Sequence, residues 1–307
     1  MNGPAGVSDF DPDRFIDREV EAKRFEVLLG LATPHRILAV SDDSGWGKSA
    51  FLKKLKFLCD FDHRIPAALI PLEEFDDCPD ELELVSDVVD QLTEAGVPFP
   101  SFHKLNRQRS FHDSGIFVDS LRGIVNASNA SISGGQVAGT IFNIERYDSV
   151  GAPDWTDEAN RQAKQLCLEA FLTELFTAAQ QRKIVIIFDN VGSVARQPQR
   201  WVLKTLVTDR IVAERVAGHK LIIVMAGEKL ERQLRSLFSD LACFDLIPVL
   251  GVLRPEHIDQ LFEAHNLEGL PSDYLALLRH GILAREVSLA GALTLADVYC
   301  KVRLKPK

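Results

Sequence analysis

Cysteine is scarce in this sequence, and its five copies, Cys59, Cys78, Cys167, Cys243 and Cys300, are odd in number and scattered. No C-x-x-C pair or Cys/His ligand spacing occurs, which excludes a disulfide framework and a structural zinc site. The cysteines read as reduced, small apolar residues of a cytoplasmic protein. Long apolar runs are missing too. Nowhere do about eighteen apolar residues follow one another, so no segment reads as a membrane span and no membrane partner is expected. Met1-Asn2-Gly3-Pro4-Ala5-Gly6 has neither the basic start nor the apolar core of a signal peptide. Positive charge is in deficit, with Lys+Arg 35 against Asp+Glu 44 and a net charge of −9. An acidic surface argues against broad nucleic-acid binding. The eight histidines form neither H-E-x-x-H nor a Ser/His/Asp order, so zinc-protease and triad chemistry lack their residues.

What is present is an ordinary globular composition, 46% apolar and 26% charged over 307 residues. That length suits one large α/β domain with a small appendage. Five short apolar runs stand out: Ile37–Val40, Ala67–Leu72, Ile184–Phe188, Leu221–Met225 and Phe244–Leu250. Continuous apolarity rich in β-branched residues is the pattern of strands buried on both faces. Pro71 and Pro248 suit strand ends or sheet edges. Helical spacing appears between the runs, at Leu82, Val85, Val89 and Leu92, over Asp157 to Gln181, and over Gln197 to Gly218. Strands alternating with helices predict βαβ units and a mostly parallel sheet.

Two regions break this rhythm. Residues 101–150 are polar and rich in Gly, Ser and Asn, and predict an insertion carrying a hairpin over 130–144 on the turn Gly134-Gly135. That hairpin either covers the sheet or offers an edge to a partner. Beyond Gly251 helical patterns take over, at Pro255 to His265, Ser272 to His280 and Arg285 to Val302. Glu256 and Glu286 fit first turns, and Asn266 and Gly281 fit helix ends. The domain division is thus 1–250 for an α/β core, with the insertion at 101–150, and 251–307 for a helical unit.

The chemistry concentrates in Ser41-Asp42-Asp43-Ser44-Gly45-Trp46-Gly47-Lys48-Ser49, which follows the first strand and leads into an amphipathic helix. Small residues let loop N–H groups wrap a polyphosphate, and the helix N-terminus adds its positive end. Ser44, Gly45, Trp46, Gly47, Lys48, Ser49 and Ala50 form the candidate phosphate cradle. Lys48 would reach the terminal phosphates, and the Ser49 hydroxyl would ligate Mg²⁺. Asp42 stands where the strict G-x-x-x-x-G-K-[ST] pattern has its first Gly. Aspartate tolerates the left-handed backbone such a turn needs. Asp42 and Asp43 beside a triphosphate are expected to cost affinity. A second strand, Ile184–Phe188, ends in Asp189-Asn190, so Asp189 can face Mg²⁺ beside Ser49.

Phe15-Ile16-Asp17-Arg18-Glu19 with Glu21 and Phe25, then the Lys48 loop, then the Asp189 strand, resemble the ATPase core of the AAA+/STAND branch of P-loop NTPases. Five strands followed by a helical lid fit the same pattern. The resemblance implies a P-loop NTPase sheet of about five parallel strands flanked by helices, with a small C-terminal lid, and other strands between the loop strand and the Asp189 strand. It implies ATP (or ADP) and Mg²⁺ as ligands and an adenine packed near the segment before the first strand, where Asp17 replaces the family's Gly. Lys48, Asp189 and Asn190 are the candidate catalytic residues, with Ser49 and Asp189 on the metal. Many members have a second carboxylate where this chain has Asn190. An amide orients water but is a poor base, which predicts slow hydrolysis.

Other residues are weaker candidates. Lys229 and Arg232 follow the strand that matches the family's sensor strand, which lacks the Arg seen in relatives. Arg210 and Arg215 fit arginine fingers, or a solvated helix face with Asp209 and Glu214. Arg196, Arg200, Lys204 and Trp201 would seed a basic patch, or simply an exposed helix. His35 reads as structural. The resulting expectation is a Mg²⁺-dependent ATPase acting as a regulatory or signalling switch, with a protein partner or self-association. The alternative is a non-catalytic nucleotide-binding adaptor that recruits a protein partner; a DNA-loading ATPase is disfavoured by the charge.

Overall fold

A computed structural model describes residues 18–31, 33, 35–75, 81–111, 157–192, 201–202, 204–207, 219–237, 244–247, 250, 253–265, 267 and 270–303. The five apolar runs form one parallel sheet: β1 (Ile37–Ser41), β2 (Ala67–Pro71), β3 (Ile184–Asp189), β4 (Leu221–Gly227) and β5 (Phe244–Ile247). Their order across the sheet is β2-β3-β4-β1-β5. β1, β3 and β4 are buried almost throughout, as their unbroken apolarity requires. Pro71 ends β2, an edge strand, where its missing N–H costs nothing. Pro248 lies outside the described residues. Gln91 covers that edge by imitating a strand: its Oε1 accepts the Leu69 N–H at 2.9 Å, and its Nε2 donates to the Leu69 carbonyl at 3.0 Å. An otherwise open edge is thereby closed to further strands.

Helices α1 (Glu19–Leu29), α2 (Lys48–Phe57) and α3 (Glu81–Glu94) bury Phe25, Leu28, Phe51, Leu52, Leu55 and the Leu82/Val85/Val89/Leu92 stripe. Arg24 of α1 pairs with Asp245 and donates to the Leu246 carbonyl at 2.9 Å, which ties α1 to β5. Residues Phe99–Glu174 form a separate compact unit. Within it, helix α4 (Pro100–Phe111) shows that the polar stretch beginning at Ser101 opens as helix rather than loop. Phe99, Phe102 and Phe171 cluster there. The Glu174 carboxylate accepts the free N–H groups of Ser101 and Phe102 at 2.8 and 3.1 Å, capping α4. Helix α5 (Asp157–Gln181) runs the length its pattern predicts. The expected hairpin at 130–144 lies outside the described residues, as does most of the helix expected over Gln197 to Gly218.

Helix α6 (Leu230–Leu237) follows β4, and the C-terminal region supplies α7 (Pro255–Ala264), α8 (Ser272–Leu283) and α9 (Leu289–Arg303). Two expectations are corrected here. Gly281 sits inside α8 rather than at its end, because a Cβ there would lie 2.9 Å from Val287 Cγ2; the glycine is kept for close packing. The last helix begins at Leu289 rather than Arg285. Arg285 instead occupies a left-handed turn at φ +56°, followed by the bend at Glu286. Among the described residues no helix is long and apolar enough to cross a membrane.

Candidate phosphate-binding site

Strand register brings the site together. Ser41 pairs with Gly227 and Pro71 with Asp189, so the segments after β1, β2, β3 and β4 emerge at one sheet edge. Gly227 is required there, since a Cβ would lie 2.1 Å from the Val191 carbonyl oxygen. A cavity of about 450 Å³ opens at this edge, within the range of small-molecule sites. Ser44, Gly45, Trp46, Gly47, Lys48, Ser49, Ala50, Asp189 and Asn190 all line it. Sequence reasoning did not single out the rest of its wall: Arg18 as a wall residue, Glu73 and Glu228 at the strand ends, and the lid residues Leu253, His257, Leu261, His265, Leu289, Ala290 and Leu293.

The loop takes its shape from Gly45 and Gly47, at φ +79° and +86°. Gly47 is the N-cap of α2, so the helix starts at Lys48. Among the described residues, nothing accepts a hydrogen bond from the N–H groups of Ser44 through Ala50. Such a row of free donors at a helix N-terminus fits an anion. Lys48 is buried, and its Nζ donates to the carbonyls of Asp42 and Asp43 at 2.9 and 2.6 Å. Burial holds its ammonium below the ordinary lysine range, against the opposing pull of Asp42, Glu228, Asp189 and Asp43.

Asp42 departs from expectation on two counts. It is not among the residues with a left-handed backbone, and its carboxylate does not face the cavity as an open charge. Its Oδ1 accepts the Asp43 N–H at 2.8 Å and pairs with Arg285 Nη2 at 2.5 Å; its Oδ2 accepts the Leu250 N–H at 3.0 Å. The charge is spent on shaping the loop and is neutralised by Arg285. The same guanidinium lies 4.1 Å from the centre of the Trp46 ring. Trp46, read from sequence only as a loop residue, is buried in the lid core with Leu253, Ile258, Phe262 and Leu278. Ala290 N–H donates to the Gly45 carbonyl at 3.2 Å. Loop and lid are therefore fastened by an ion pair, a cation–π contact, an apolar anchor and a backbone hydrogen bond.

Gly45 has no room for a side chain. A Cβ would meet Ser288 Oγ at 2.6 Å and Cβ at 2.9 Å. Gly45→Ala combines that clash with a left-handed strain of about 1–2 kcal/mol, so its Tm is expected to fall by roughly 4–8 °C, with ligand affinity falling in parallel. Thermal unfolding beside calorimetric titration measures both; an unchanged Tm would contradict the contact.

Asp189 is partly buried and faces the Ser49 hydroxyl. Burial raises its carboxyl above the ordinary range; the Ser49 hydroxyl and the Asn190 N–H oppose that rise, and Glu73 adds to it. A carboxylate so placed suits a cation. Among the described residues no three His, Cys, Asp or Glu side chains are grouped to hold a metal alone. A divalent ion at Ser49 and Asp189 would need oxygens from a bound phosphate, which is the usual habit of Mg²⁺. The raised carboxyl also has a stability sign. Its ionised form is penalised in the folded protein, so stability falls as pH rises through its folded-state pKa. Asp189→Asn is expected to raise the Tm of the ligand-free protein by roughly 1–3 °C at neutral pH. The gain disappears below about pH 4; a Tm series across pH checks it.

None of the remaining candidates that are described lines the cavity. Lys229 and Arg232 are exposed and do not line it. Trp201 is buried and so is no stacking platform, while Lys204 is exposed. Arg196, Arg200, Arg210 and Arg215 lie outside the described residues, as do Phe15, Ile16 and Asp17. His35 is partly buried ahead of β1.

No protein-family model matches the sequence, and neither does any curated protein. Solved structures do. Cdc6p from Pyrobaculum aerophilum aligns with TM-score 0.50 at 14% identity, over 96% of this chain and 62% of that one. The two share a fold, helices flanking a five-stranded parallel sheet. The Orc1 protein of Aeropyrum pernix in complex with DNA aligns with TM-score 0.48 at 13% identity, covering 96% of this chain and 63% of its own. The Orc2 protein of the same organism, solved as ADPNP–ADP complexes, gives 0.48 and 14%, covering 95% and 65%. This chain spans less than two thirds of each.

Proposed function

We propose that this protein is an ATP-binding, Mg²⁺-dependent P-loop ATPase of the STAND type, working as a nucleotide-controlled regulatory switch. The observation that carries this reading is the run of free N–H groups from Ser44 to Ala50 around Lys48, opposite Ser49 and Asp189. Backbone amides would hold the phosphates, Lys48 would neutralise their charge, and Ser49 with Asp189 would hold Mg²⁺. When bound, the ion supplies charge neutralisation between phosphate oxygens and the protein carboxylates. The cavity rim, which carries Asp189, Glu73 and Glu228 against Arg18 and Lys48, supports that reading. Leu253, Leu261, Leu289 and Leu293 offer the flat base an apolar wall from the lid. Because the lid is fastened directly to the phosphate loop, a change in the loop on binding is felt in α8 and α9, which would report it to a protein partner or a second copy.

The alternative, a nucleotide-binding adaptor without turnover, rests on Asn190 standing where a carboxylate is expected. One experiment decides between them. ATP is titrated with and without Mg²⁺ by calorimetry, and phosphate release is measured on the same samples for wild type and Asp189→Ala. Binding that tightens with Mg²⁺, with turnover lost in the variant, is the expected result. Binding without turnover would favour the adaptor, and no binding would overturn both.

A further inference from the structure

We propose that the general base for ATP hydrolysis is Glu73, supplied by the neighbouring strand, and that Asn190 is its positioning residue; this rests on the ATPase reading of the site. The pairing of Pro71 with Asp189 places Glu73 two residues beyond the end of β2 and Asn190 one residue beyond β3, side by side at the same sheet edge. Asn190 adopts a left-handed backbone at φ +55°, with its N–H on Asp189 Oδ1 at 2.8 Å. Its side-chain Nδ2 then donates to Glu73 Oε2 at 3.0 Å. An amide cannot accept a proton, but it can hold a carboxylate that does. One oxygen of Glu73 is held in this way. Among the described residues nothing takes the other, and the residue is exposed where it lines the cavity with Lys48, Ser49 and Asp189. Carboxylate and amide thus stand side by side on adjacent strands, joined by a hydrogen bond.

In the reaction, the water oxygen forms a bond to the γ-phosphorus as the bond from that phosphorus to the β–γ bridging oxygen breaks. The bridging electron pair leaves with ADP. The water proton passes to the free Oε1 of Glu73 and then to solvent, so ADP, inorganic phosphate and one proton account for all atoms. Glu228 also lines the cavity, yet among the described residues no hydrogen bond holds its carboxylate, so it lacks the fixed orientation a base needs.

The test compares Glu73→Gln, Asn190→Ala and Asn190→Gln with wild type in the intact chain. Three readouts are taken: ATP–Mg²⁺ affinity by calorimetry, phosphate release, and the ATP-to-ADP ratio of nucleotide recovered from the protein. Glu73→Gln is expected to lower kcat by about 100-fold or more. It keeps its affinity within about threefold and retains bound ATP where wild type yields ADP. Asn190→Ala lowers kcat with KM unchanged, and Asn190→Gln restores part of the loss. Turnover by Glu73→Gln at the wild-type rate overturns the proposal, as does loss of turnover in Glu228→Gln with Glu73→Gln intact. Wild type that binds ATP without hydrolysing it overturns the base but not the nucleotide site. Wild type that binds no ATP overturns the ATPase reading itself, which keeps the two failures distinct.

Discussion

Lys48→Ala is expected to weaken ATP–Mg²⁺ binding by roughly 10- to 150-fold, the worth of a charge-assisted hydrogen bond at about 1.5–3 kcal/mol. The structure makes the loss twofold in kind. Lys48 is 9% exposed and already desolvated, so its charge meets a phosphate without further cost in stripping water. It also bridges the carbonyls of Asp42 and Asp43, which lose their shared donor without it. Lys48→Met keeps the apolar stem and removes both roles, so it is expected to fall within about threefold of alanine. Arginine keeps the charge but spreads it over a planar fork that does not fit between two carbonyls, and is expected to rescue poorly. Calorimetric titration of the three variants checks the series; alanine binding within threefold of wild type would remove Lys48 from the site.

Much of the architecture was legible because buried parallel strands leave a direct mark. Ile184–Phe188 and Leu221–Met225 are unbroken apolar runs, and the structure makes them β3 and β4 at the sheet centre. The strand intervening between the loop and Asp189, implied by the family resemblance, is β4. Legibility ended where long-range geometry sets meaning. Arg285 sits at helical spacing from Leu289 and Ala292, so it reads as a helix start; only the fold brings it to a carboxylate 243 residues away. Trp46 reads as a bulky residue in a glycine loop, and nothing local says that the lid core receives it. Glu73 had a signal that went unused. Asp189 stood out as the carboxylate directly after the apolar run Ile184–Phe188, and Glu73 likewise directly follows the run Ala67–Leu72.

The other large effect belongs to Asp42 and Arg285, and it is unequal between the partners. Asp42 is 3% exposed and Arg285 25%. Arg285→Ala leaves a buried carboxylate whose remaining partners are the N–H groups of Asp43 and Leu250. Breaking a buried pair in this way costs about 3–5 kcal/mol, a fall in Tm on the order of 10 °C. Asp42→Asn removes the charge and keeps an acceptor, while Arg285 stays on Trp46 and the Leu250 carbonyl, so its cost is expected near 1 kcal/mol. The double variant Arg285→Ala/Asp42→Asn is then more stable than Arg285→Ala alone, with a coupling of about 1–3 kcal/mol. Equal single effects that simply add would mean the pair is solvated and idle. The same cycle, read through nucleotide affinity, tests what the aspartate is for. A glycine at position 42 would free the loop from the lid turn, whereas Asp42 binds the two together through Arg285 and, by way of that guanidinium, through Trp46. If the lid carries the state of the loop, Arg285→Ala weakens ATP binding more than its distance from the phosphate cradle would suggest. Asp42→Asn, which leaves Arg285 on Trp46, weakens it less.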